Sequence, residues 1–115
     1  MKYTKNQIQN IRTHLNYYCK SMTKYGVFTV DRSESLEHNL DMARQFTEMS
    51  YAGFAVAVRP TLKDGNIPDL MILNTPIPQI KEVMVSESTE RFIKKDYMGI
   101  NKIQVRVKDD KTKRK

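Results

Sequence analysis

The sequence predicts an α/β domain, a mixed four-stranded sheet flanked by helices, with its elements in the order ααβββαβ. Three observations predict it. Apolar residues recur at three- and four-residue steps over 4–24 and again over 36–51, the period of helices buried on one side. Two short apolar runs, GFAVAVRP and PDLMILN, flank KDGN, whose Asp-Gly pair is a hairpin signal. Finally, a helical stretch ending in ERFIKKDYM separates QIKEVMVS from KIQVRV, so a crossover feeds the last strand, as a mixed sheet requires.

Each element has a local reason. Thr4 can cap a helix whose inner face carries Ile8, Ile11, Leu15, Cys19 and Met22, ending near Lys24. After Gly26 and a short VFTV run, DRSES sets Asp31 and Glu34 at capping-box spacing. A second helix follows with Leu36, Leu40, Ala43 and Phe46 on one face and an end between Tyr51 and Gly53. GFAVAVRP then gives a strand of about six residues. Pro68 stands at the first residue of the second strand, where a missing N–H costs no ladder bond. TPIP breaks the chain before the third strand, Ser86 or Ser88 can cap the helix that runs to Met98 with Glu87 and Glu90 in its first turn, and Gly99 ends it. At 115 residues this is one domain over 1–107, large enough to bury about two thirds of its unfolded surface, followed by a basic disordered tail over 108–115.

The charge is unevenly placed. Of a net +7, residues 1–25, the basic N-terminal helix, hold five bases and no acid, whereas 26–107 hold ten bases against eleven acids. Basic ends on a near-neutral body suit a polyanion, because Lys and Arg that neutralise phosphates release counterions. Lys20, Lys24, Lys95, Lys111, Lys113 and Arg114 are the candidate nucleic-acid contacts, and Tyr17, Tyr18 and Tyr25 either stack on bases or pack inward. The longest apolar run, Phe54–Val58, is far too short to span a membrane, and MKYTKNQIQN lacks a signal-peptide core, so the expectation is a cytoplasmic protein with no membrane partner. Cys19 alone excludes an internal disulfide and a thiolate cage, and His14 and His38 have no second ligand at zinc spacing. No glycine-rich phosphate loop occurs, and Ser33, Ser35, Ser86 and Ser88 read as caps rather than nucleophiles.

Three carboxylates need an explanation. Asp69 opens the second strand, Glu82 lies midway along the third, and Glu37 sits in the first half of the second helix. A buried carboxylate costs several kcal/mol unless paired, and paired strands bring Asp69 and Glu82 close enough to repel unless a cation lies between them. A hard divalent ion such as Mg²⁺ answers this: it takes one or two carboxylates and keeps waters, one of which can attack a phosphodiester.

Element order and residues together resemble the PD-(D/E)xK nuclease superfamily over residues 35–107. Pro68-Asp69 matches its Pro-Asp pair, Glu82 its second acid, and Glu37 with His38 in SLEHNLDMA its helix acid region. The resemblance implies a restriction-endonuclease-like core and Mg²⁺- or Mn²⁺-dependent hydrolysis of DNA. It also implies metal on Asp69 and Glu82, support from Glu37, and a homodimer, since two strands need two cuts. Small size with many Lys and Met fits a viral, phage or plasmid gene, in which case the location is the host cytoplasm. One departure stands out: the superfamily's Lys belongs two residues after the second acid, where this chain has Met84, which cannot assist a water or meet a phosphate. Some members move that Lys to the following helix. Here Lys94 flanks the Ile93, Tyr97, Ile100 face expected to pack on the sheet, while Lys95 points nearly opposite. The alternatives are a non-catalytic nucleic-acid-binding protein of the same fold, with Met84 marking lost activity, and a protein-interaction adaptor.

Overall fold

In the computed structural model, which describes residues 2–84 and 89–106, the elements are α1 (Lys5–Tyr18), α2 (Leu36–Tyr51), β1 (Val56–Val58), β2 (Leu70–Ile72), β3 (Gln79–Met84), α3 (Thr89–Lys94) and β4 (Asn101–Arg106). β1 and β2 pair antiparallel as the KDGN signal predicts, β2 and β3 pair antiparallel, and β3 and β4 pair parallel across α3, giving a mixed sheet in the order β1-β2-β3-β4. Ser86, Glu87 and Ser88 and the tail residues Lys111, Lys113 and Arg114 lie outside the described residues.

Alternation along the strands divides the core in two. Ala55, Ala57, Met71, Leu73 and Ile80 join Ile11 of α1, with Tyr97 and Ile100 completing that layer. Val56, Leu70, Ile72 and Val83 pack against Met42 and Met49 of α2, closed over by Phe28 and Phe46 at 5.8 Å between ring centroids. Helices therefore cover both sheet faces, and the in-and-out pattern of β1, β2 and β3 supplies two cores rather than one core and a wet face.

Three expectations shift. α1 begins with a full capping box, Thr4 Oγ1 accepting from the Gln7 N–H and Gln7 Oε1 accepting from the Thr4 N–H, but it stops at Tyr18 rather than Lys24. The chain there joins the β1–β2 connection instead: Lys20 N–H donates to Thr61 O (2.9 Å) and Lys63 N–H to Tyr18 O (2.8 Å), burying Cys19 beside Met71. α2 is capped by Ser35, not Asp31, and it presents Asn39, Met42 and Met49 inward, leaving Leu36 and Leu40 73% and 59% exposed. That is a turn of roughly 100° from the apolar stripe, set by the hydrogen bonds of Asn39 described below. α3 ends at Lys94, short of Met98, and Ile93 is exposed.

Candidate metal centre

The pairing of Leu70 with Lys81 is the first rung of the β2–β3 ladder, so Asp69 and Glu82 face each other one step beyond it. There the side chains take over from the backbone. Asp69 N–H donates to Glu82 Oε2 (2.8 Å), and Val83 N–H donates to Asp69 Oδ2 (2.8 Å). Each acid thus accepts an amide from the other's strand. Glu82 is 2% exposed, and its second oxygen, Oε1, accepts from Lys95 Nζ (3.2 Å) and from the Tyr97 hydroxyl. Burial above all, and then the Asp69 charge, push the Glu82 carboxyl above the ordinary range, while Tyr97, the Asp69 amide and Lys95 pull it back.

Asp69 Oδ1 faces α2. His38 Nε2 lies 3.5 Å from it and 3.5 Å from Glu34 Oε1, buried and without the alignment of a hydrogen bond to either. The contact with Asp69 is the main reason the imidazole pKa is raised, and the Asp69 and Glu34 charges act in the same direction against burial and Arg59. One ligand atom each from Glu34, His38 and Asp69 falls within 4.8 Å of the others. Ligands about 2.1 Å from a shared ion sit ~3–4 Å apart; the two 3.5 Å contacts of His38 meet that span, the unbonded ring nitrogen is the atom a cation would complete, and an ion there would share Glu34 Oε1 with the Arg59 guanidinium.

Arg59 and Asn39 hold the outer wall. The guanidinium donates to Glu34 Oε1 (2.6 Å), Thr29 O (2.6 Å) and Asn39 Oδ1 (3.0 Å). Asn39 also accepts from Asp31 N–H (3.0 Å) and donates to Asp31 O and Ser35 O (2.9 Å each), so one buried amide fixes the entry to α2 and the position of Glu34. Asn39→Ala is expected to lower stability by about 2–3 kcal/mol, the cost of stranding buried partners; chemical denaturation measures it, and a change within error would remove Asn39 as the organiser of this wall.

The sequence-predicted residues distribute unevenly. Asp69 and Glu82 meet as expected. Glu37 is exposed on α2 and outside the cluster, because Glu34 and His38, one turn apart, occupy the inward line. Lys94 is exposed and Lys95 reaches Glu82, the reverse of the helical projection, since α3 has already ended when Lys95 is reached. Lys95 is therefore an acid partner as well as a candidate DNA contact, whereas Lys20 and Lys24 are exposed. Met84 is buried in the sheet. Glu34, Arg59 and Tyr97 carry no site signal strong enough to single them out in the sequence; the four-residue spacing of Glu34 and His38 is the signal that pairs the first with the helix. Compared with protein-family models, curated proteins and solved structures, the chain matches none.

Proposed function

We propose that this chain is a divalent-metal-dependent nuclease that hydrolyses DNA phosphodiester bonds at a centre built from Glu34, His38, Asp69 and Glu82. The observation that carries the reading is the buried, unbonded His38 Nε2 with a carboxylate oxygen on either side, next to an acid pair clasped across two strands. A cation on Glu34, His38 and Asp69 would supply a Lewis acid and an acidified water when bound. Glu82 orients Asp69 through its amide and holds Lys95 3.2 Å away. The Lys95 ammonium thus stands in for the lysine missing at Met84, where it can offset charge developing on a phosphate oxygen. A mixed imidazole and carboxylate set accepts Mn²⁺ at least as readily as Mg²⁺.

Incubated with plasmid and oligonucleotide DNA in Mg²⁺ or Mn²⁺, the protein is expected to cut, and EDTA to stop it. His38→Gln should weaken Mn²⁺ binding in calorimetry by about ten- to a hundredfold. A protein inert on every such substrate with both ions sinks the enzymatic reading.

A second reading, a DNA-binding protein without catalysis, is favoured by one observation: Glu82 already satisfies both oxygens with protein donors, so the acid pair is stable without an ion. It predicts DNA binding with no heat of metal binding.

A further inference from the structure

Where α1 stops, residues 20–29 loop beside the end of β1 and leave a groove of about 440 Å³. Lys20, Lys24 and Arg59 line it with no carboxylate among its walls, and two apolar side chains, Met22 and Val27, stand 87% and 51% exposed there. Arg59 belongs to two places at once. Its side chain closes the groove beside Thr29 and ends 2.6 Å from Glu34, and its backbone, at a left-handed φ of 47°, donates its N–H to Asp69 O at 2.8 Å. The cationic groove therefore abuts the Glu34–His38–Asp69 cluster through a single residue.

Resting on the nuclease reading above, we propose that this groove takes one nucleotide of a single DNA strand and leads that strand to the acid cluster. Size selects the occupant: pockets of about 300–1,000 Å³ hold one small organic unit, which a nucleotide is and a duplex is not. Charge selects it too. Lys20 and Lys24 present ammonium groups to backbone phosphates, and no acid occurs in residues 1–25 to compete for them. Met22 and Val27 offer an apolar contact to the face of an unstacked base.

The test is fluorescence anisotropy in EDTA, where no cutting occurs, with a labelled oligo-dT and a blunt hairpin duplex of equal length over a salt series. The wild type should bind the strand more tightly than the hairpin. Lys20→Ala with Lys24→Ala should weaken strand binding by about tenfold and flatten the log–log salt slope by about 1.4, or ~0.7 for each phosphate that no lysine neutralises any longer. Both side chains are exposed, so an unchanged melting temperature should confirm that the variant is folded. Equal strand affinity in variant and wild type, or a hairpin bound as tightly as the strand, overturns the proposal. The two readings fail separately: a wild type that never cuts but loses strand binding in the variant keeps the groove and removes the nuclease, and cutting with lysine-independent binding does the opposite.

Discussion

Asp69→Asn is expected to leave a folded protein in which the metal-dependent DNA cutting proposed above falls by about 10²–10³-fold or more, the scale of losing one electrostatic stabiliser. Asparagine keeps a carbonyl oxygen for the Val83 N–H, now held at 2.8 Å, and its amide can donate to His38 Nε2, so the strand contact survives. What disappears is the negative charge that faces His38 and Glu34 and that a cation needs. The melting temperature should move by only a few degrees, while the heat of Mn²⁺ binding should vanish. Cutting at the wild-type rate would take Asp69 out of the chemistry.

Glu82→Leu should produce the largest loss of stability, about 2–4 kcal/mol, because it leaves the Asp69 N–H without its acceptor at ~1–3 kcal/mol and removes the bonds that Tyr97 and Lys95 make to the carboxylate, against some gain in apolar packing. Gln should rescue part of that loss, since its carbonyl oxygen can serve the Asp69 N–H while its amide donates to the Tyr97 hydroxyl oxygen, leaving only the Lys95 ammonium with no acceptor at this position. The penalty should also depend on pH in a definite direction. Burial and Asp69 raise the Glu82 pKa, so the folded protein holds that proton more tightly than the unfolded chain does. Its contribution is complete below the unfolded value of 4.5 and declines as pH rises through the folded one. Urea unfolding of both proteins from acid to neutral pH should therefore show a penalty for Glu82→Leu that is full at pH 4.5 and below and shrinks upward; a penalty that grows with pH contradicts the assignment. His38 works in the same sense higher up, its raised pKa giving stability below the ordinary 6.5 that fades as pH climbs. A cation at the proposed site would act against that trend, because the imidazole must lose its proton to ligate.

Strand pairing is legible in the sequence because its signals are local. The KDGN turn and the apolar run on either side specify the hairpin, and once β2 and β3 are antiparallel, Asp69 and Glu82 must meet. Lengths are not legible. GFAVAVRP shrinks to three paired residues because Ala55 N–H bonds to the Asn74 side chain and Arg59 turns out of the strand. The inner face of α2 departs from the apolar stripe for a tertiary reason: Leu36 and Leu40 outrank Asn39 on any hydropathy scale, yet the network with Asp31, Ser35 and Arg59 draws the polar residue inward. The same rotation exchanges Glu37 for Glu34 and His38 at the cluster. Lys95 escapes a sequence reading because helical projection has no meaning past the last helical residue.

The reciprocal bonds between Asp69 and Glu82 have one more consequence, for the phase of the strands. They occupy the step just outside the Leu70–Lys81 rung, so sliding β3 by a single residue would turn Glu82 to the other face and leave Asp69 opposite a residue that cannot return its bond. The acids of the candidate centre are thus also the stitch that sets the sheet in phase. Hydrogen exchange would make the stitch visible: the Asp69 and Val83 amides, bonded to side chains at the step just before β2 begins, should exchange as slowly as those within the ladder, and a chain folded out of phase would lose that protection and the Glu34–His38–Asp69 cluster together.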